Sequence, residues 1–148
     1  MKFPIKTLSG LLTIIVVGYF IYTQFFHLDI QNNCAIFLMP TFQPSNLSTK
    51  ETVTFLKNSS HEDYTILCKH VNVINKNASC GGLDGGCYQP SSPKTIYIGN
   101  DQNNIALAAA LLVHETCHAI QGQENRTLNE GDCYKAGAEY LKKVTLIP

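Results

Sequence analysis

His114-Glu115-Thr116-Cys117-His118 is the stretch of this chain that decides how the rest is read. On a helix of 3.6 residues per turn, positions i and i+4 lie one above the other, so both imidazoles leave the same face and can grip one ion. Neutral imidazole is a common zinc ligand, and a zinc site built for chemistry leaves one tetrahedral corner open. Glu115 follows the first histidine and can act as general base toward a metal-held water. Val113, Thr116, Cys117, Ala119 and Ile120 carry no charge, as a half-buried helix requires. The bland alternative is a core helix whose two histidines are satisfied by hydrogen bonds.

Working outward, the apolar run before the motif predicts a buried central helix from Asn103 or Asn104 to Gln121, stopped by Gly122 and the polar run to Thr127. A last helix follows over Leu128–Lys143, with Tyr134, Ala138 and Leu141 on it and basic residues at its C-terminal end. Upstream, Thr95-Ile96-Tyr97-Ile98 between Pro93 and Gly99 reads as a strand. Asn75–Pro93 is rich in Gly, Ser and Pro and reads as a loop. Ser48 with Glu51 makes a capping box for a helix over Thr49–Lys57. Ser60 with Asp63 repeats the signature, and Tyr64, Leu67, Cys68, Val71 and Ile74 extend a helical spacing from His61 to Asn75. Cys34–Met39 fits either a short strand or a packing segment. The whole predicts a helix-rich α+β domain.

The N-terminus differs in kind. Lys2 and Lys6 precede an uncharged apolar run of 19 residues, Leu8–Phe26, close to the ~30 Å of a bilayer's hydrocarbon core. The run is longer than the apolar part of a cleavable signal peptide, and bulky residues follow where a cleavage site would need small ones. It therefore predicts a single-pass anchor. With basic residues on the short tail and none after the span until Lys50, the tail faces the cytoplasm and the C-terminal domain the periplasm, lumen or exterior. The expected division is a tail at 1–7, a transmembrane anchor at 8–26, a membrane-proximal segment at 27–47 and a catalytic-type domain at 48–148.

Eleven basic and eleven acidic residues balance in 148, and no basic patch is interleaved with aromatics, which excludes nucleic acid as a partner. Six cysteines in a small exported domain point to disulfides. Cys80 and Cys87 bracket a six-residue glycine-rich loop that can close on itself. Cys117 and Cys133 can meet if their helices converge on one metal, which leaves Cys34 and Cys68 by elimination.

Two histidines need a third ligand. Glu124 lies six residues after His118, and Glu130 lies near the start of the next helix. Small residues at Cys133 and Gly137 would let that helix approach the first closely and project Glu130 into the gap, which favours Glu130. The bland reading of Glu130 is an acid at a helix N-terminus.

The strand Thr95–Ile98, the helix carrying Leu112–Gln121 and the following helix with its early glutamate together resemble the zincin core of metallopeptidases, most closely a minimal gluzincin. The resemblance covers Thr95 to Leu141. Metzincins fit less well, because Gln121 stands where they need glycine and Glu124 where they need histidine or aspartate. The resemblance implies a membrane-anchored zinc metalloendopeptidase. His114, His118 and Glu130 would hold Zn2+, Glu115 would be the catalytic base, and a peptide or protein would be the substrate. It also implies that Thr95–Ile98 is the edge strand on which the substrate lies. Tyr134, Tyr140, His61 or His70 would stabilise the oxyanion, and Asp132 would support a histidine. Other expectations compatible with the sequence are a non-peptidase zinc hydrolase, a zincin-fold binding module and a disulfide-stapled structural domain.

Overall fold

A five-stranded mixed sheet carries the helices that hold the motif. The computed structural model describes residues 5–41, 47–76, 85–99 and 103–145, with side chains of the first helix described from residue 10. In chain order the elements are α1 (Ile5–Phe25), β1 (Phe26–Asp29), a 3-10 turn (Ile30–Asn32), β2 (Cys34–Met39), α2 (Thr49–Ser59), α3 (His61–His70), β3 (Val73–Lys76), β4 (Gly86–Tyr88), β5 (Thr95–Ile98), α4 (Ile105–Gln123) and α5 (Glu130–Thr145). The sheet order is β1-β2-β3-β5-β4. The three central strands are parallel, and β1 and β4 pair antiparallel at its two ends.

Register explains where the core lies. Leu38, Ile74, Ile96 and Tyr88 are successive cross-strand partners, and all four are buried. Because side chains alternate along a strand, this row belongs to one face of the sheet. Val53 and Leu56 of α2, Tyr64 and Leu67 of α3, and Ala109 and Leu112 of α4 join it in one core. Each fully buried aliphatic side chain contributes roughly 1.5–3 kcal/mol. The α+β class expected from the sequence is the one observed.

The capping box predicted at Ser48 is present, with its side chain accepting from the Glu51 backbone and Glu51 reaching back to the Ser48 N–H. Two expectations need correction. The helix predicted over His61–Asn75 ends at His70, and Val73–Lys76 form a strand instead. The β-branched pair Val73 and Ile74 supplies sheet packing, with Ile74 fully buried between Leu38 and Ile96. The strand before the zinc-motif helix, Thr95–Ile98, is also not an edge. It lies between β3 and β4, so among the described residues the sheet ends at Gly86-Cys87-Tyr88, inside the segment expected to be loop.

Cys34–Met39 is a strand, and with β1 it places residues 26–39 in the sheet immediately after α1. The sheet of the folded unit thus begins at Phe26, the last residue of the expected anchor, and runs on through the stretch expected to be membrane-proximal. The 16 residues Gly10–Phe25 of α1 are apolar and span about 24 Å at 1.5 Å per residue. Ile14, Tyr19 and Phe20 on it stay well exposed. Among the described residues, α4 is the helix long and apolar enough to cross a membrane, yet half of it is buried within the domain as its central helix.

Two disulfides follow the expected pairing: Cys34–Cys68 ties β2 to α3, and Cys117–Cys133 ties α4 to α5. The expected Cys80–Cys87 bridge involves Cys80, which lies outside the described residues.

The junction after α1 is held by a polar cluster. Asp29 takes the Lys57 ammonium at 2.8 Å, the Asn32 amide at 2.7 Å and the Tyr64 hydroxyl at 2.9 Å. With its one proton given to Asp29, the Tyr64 oxygen accepts from His27 Nε2 at 2.7 Å. Lys57 first, then Asn32, holds the Asp29 carboxyl well below the usual carboxylate range. A depressed carboxyl stabilises the fold above its unfolded pKa of about 4 and loses that contribution as pH falls toward the folded value. Thermal unfolding from pH 6 to pH 2 should therefore show the advantage of wild type over Asp29→Asn constant above pH 5 and shrinking below pH 4. A gap independent of pH would refute the linkage.

Candidate metal centre

Helix α4 starts where Asn104 accepts from the backbone N–H groups of Ala106 (2.9 Å) and Leu107 (3.2 Å), an N-cap that sets the phase of the helix. From that start, Leu112, Glu115, Thr116 and Ala119 face inward, and His114 and His118 stack one turn apart with ring centroids 4.9 Å apart. Helix α5 crosses close above them. A Cβ placed on Gly137 would sit 3.2 Å from the Ala110 carbonyl oxygen and 3.7 Å from the His114 Cβ, so a larger residue would push the two helices apart by a few tenths of an ångström. The Cys117–Cys133 bridge fastens the same two helices.

That approach brings Glu130 to the histidines. Its Oε2 lies 3.3 Å from His114 Nε2 and 3.3 Å from His118 Nε2. The three ligand atoms lie within 4.8 Å of one another. His118 Nε2 is buried without a hydrogen-bond partner, which is costly for a polar atom unless something outside the protein satisfies it. Two imidazoles and a carboxylate around an orphaned ring nitrogen fit a metal ion. The two histidines are nearly enclosed while the carboxylate faces solvent: the His114 and His118 side chains are 12% and 5% exposed, whereas Glu130 is 69% exposed.

Glu115 lies beneath the cluster, with Oε1 4.0 Å from His114 Nε2 and Oε2 buried without a partner. Burial first, and the nearby Glu130 second, push its carboxyl up to about 8. Burial also lowers the His114 pKa, His118 adds to this and Glu130 opposes it. A neutral His114 keeps a lone pair available for coordination. The backbone of β4 closes over Glu115, where a Cβ on Gly86 would be 2.5 Å from Glu115 Oε1. His118 Nδ1 meets Gln121 Oε1 at 3.2 Å.

A cleft of about 840 Å³ opens over the cluster, with β4 along one side and α5 along the other. No protein-family model matches this chain, and no curated protein or solved structure matches it. The chemistry must be read from the site itself.

Glu124, the other candidate ligand, caps α4 and pairs with Arg126 at 2.7 Å. Of the four groups considered for the oxyanion, Tyr134 lines the cleft, its ring 4.7 Å from that of His114. Tyr140 is buried against Ser59 Oγ at 2.7 Å, His70 bonds Gln123 at 2.9 Å, and His61 packs near Tyr64. Asp132 is exposed, and its backbone N–H goes to Asn129 Oδ1. The contact expected of Asp132 is made instead by Gln121, at His118. Sequence reasoning passed over Gln121 and Gly86 as site residues, since neither belongs to a spacing that implies chemistry.

Proposed function

We propose that this protein is a zinc metalloendopeptidase, tethered by α1 and facing away from the cytoplasm. The observation that carries the reading is the convergence of His114, His118 and Glu130 beside the buried Glu115. A His2Glu set with an open side is a known ligand arrangement of catalytic zinc. Bound zinc would lower the pKa of a water and polarise a substrate carbonyl. Glu115 would accept the proton of that water on its carboxylate and hand it to the leaving amine. A cation at the histidines favours the ionised form of the Glu115 carboxyl, against the burial that keeps it protonated.

Three features support a peptide as substrate and an internal bond as target. Among the described residues β4 is the last strand of the sheet, and it borders the cleft, where an extended peptide could align with it. Leu107, Leu111, Leu128 and Leu141 line the cleft and offer apolar contact to side chains. Among the described residues the lining holds no Lys or Arg to seat a terminal carboxylate. The two disulfides and the apolar, exposed α1 support the location.

The full chain in mild detergent provides the test. It should carry about one zinc per chain and cut unfolded casein internally, with activity lost on chelation and restored by zinc. A folded protein that takes up no added zinc ends this reading. Zinc binding with capture of peptides but no cleavage would make the domain a binding module.

A further inference from the structure

Apart from tyrosines, Gln121 is the most deeply buried polar side chain among the described residues, at 1% exposure. A buried amide must place one oxygen with two lone pairs and two N–H donors. The Gln121 oxygen Oε1 accepts from the Asn129 backbone N–H at 2.9 Å and faces His118 Nδ1 at 3.2 Å. Its Nε2 lies 3.4 Å from the Asn129 carbonyl oxygen. The side chain thus grips both backbone groups of one residue while touching the ring of a metal-ligand histidine.

These contacts fix protons. The Asn129 backbone nitrogen can only donate, so the Gln121 atom facing it must be the oxygen. That oxygen can only accept, so His118 Nδ1 must carry the proton. The Cys133 sulfur, 3.5 Å from Nδ1, is in a disulfide and has no proton to give either. A neutral imidazole protonated on Nδ1 has its lone pair on Nε2, the buried atom that points at Glu130.

The other end of the clamp sets the third ligand. Asn129 Oδ1 accepts from the Asp132 N–H at 3.2 Å and its carbonyl from the Cys133 N–H at 3.4 Å, so Asn129 caps α5. Glu130 is the next residue. Whatever fixes Asn129 therefore fixes where the Glu130 side chain departs.

We infer that Gln121 is the positioning residue of the metal centre, holding His118 with its Nε2 lone pair free and anchoring the start of α5 so that Glu130 meets both histidines. The inference rests on the metal-centre reading for its purpose, though not for its hydrogen bonds. Methionine matches the volume and supplies neither function. Glutamate supplies the acceptor but no donor toward the Asn129 carbonyl.

The test uses the full chain in detergent with 15N-labelled histidine, together with Gln121→Met and Gln121→Glu. In the metal-free wild type at pH 8, long-range 1H–15N spectra should show His118 protonated on Nδ1. Gln121→Met should move His118 toward the Nε2-protonated form favoured in water, and zinc Kd from chelator competition should rise about 10–100-fold. Gln121→Glu should keep the wild-type tautomer and bind zinc more tightly than the methionine variant. A wild-type His118 protonated on Nε2 overturns the inference, as does a methionine variant with unchanged tautomer and zinc affinity. Should the methionine variant not fold, loss of the Nδ1 proton in Gln121→Glu overturns it as well. If wild type binds no zinc but shows the tautomer and its shift, the metal reading falls and the clamp stands.

Discussion

Glu115→Gln should keep its zinc and lose about 10²–10⁴-fold in peptide hydrolysis, whereas Glu130→Ala should lose the zinc itself. The two carboxylates sit within one cluster, and the proposed reading gives them different work. Glu130 Oε2 is equidistant from both ring nitrogens, so removing it would leave two candidate ligands where three can hold an ion. Glu115 is buried beneath them, and its amide analogue keeps the shape while removing the proton acceptor. Metal content by mass spectrometry and hydrolysis of a quenched peptide should separate the variants. Activity retained in Glu115→Gln would sink the general-base assignment. A second consequence has the opposite sign. Because the folded pKa of Glu115 is raised to about 8, the metal-free fold binds more protons than the unfolded chain between about pH 4 and pH 8, and its stability falls as pH rises through that window. Metal-free Glu115→Gln should escape this loss, so thermal unfolding should show its advantage over wild type growing from pH 5 to pH 8. That pattern would fit the proposed role of Glu115, a residue kept for chemistry at the expense of stability.

The centre of the site was legible because helical geometry turns a five-residue spacing into a shared face. His114, Glu115 and His118 needed nothing else. Glu130 could be read from small residues at Cys133 and Gly137, which announce a close helix crossing, and the same crossing made the Cys117–Cys133 bridge expected. The sheet was harder to read, for reasons that lie in the strands themselves. Phe26-His27-Leu28-Asp29 and Gly86-Cys87-Tyr88 are short end strands whose pairing is set by distant partners rather than by their own propensity. Val71 and Ile74 fell on a helical spacing with Tyr64 and Leu67, although the chain leaves the helix after His70. Periodicity alone cannot separate a helical tail from a strand that starts three residues later. The sequence places the edge at β5 because β4 lies hidden in a glycine-rich stretch. Gln121 escaped notice because its partners, Asn129 and His118, become neighbours only after α5 has folded back on α4.

Breaking the Cys117–Cys133 bridge should weaken both the fold and the metal centre, and the pairing of the two effects is what identifies its role. The bridge closes a separation of 16 residues, for which chain entropy predicts about 3 kcal/mol of stabilisation. Cys34–Cys68, with a separation of 34, should contribute a similar amount. Their positions differ. Cys117 immediately precedes the candidate ligand His118, and Cys133 lies three residues after the candidate ligand Glu130, so this bridge joins the two helices that carry the candidate metal centre. Cys34–Cys68 joins β2 to α3, away from the cluster. Zinc bound to His114, His118 and Glu130 would cross-link α4 and α5 a second time. Without the disulfide, the ion must itself order α5, and binding free energy is spent on that ordering. The Cys117→Ala/Cys133→Ala protein should therefore unfold at lower temperature, bind zinc about tenfold more weakly and gain less from added zinc. Cys34→Ala/Cys68→Ala should unfold earlier too but keep the wild-type zinc Kd. Chelation combined with loss of the Cys117–Cys133 bridge should destabilise the domain more than either alone. Equal zinc affinity in the two double variants would show that Gly137 packing and the Gln121 clamp hold α5 in place without help from the disulfide.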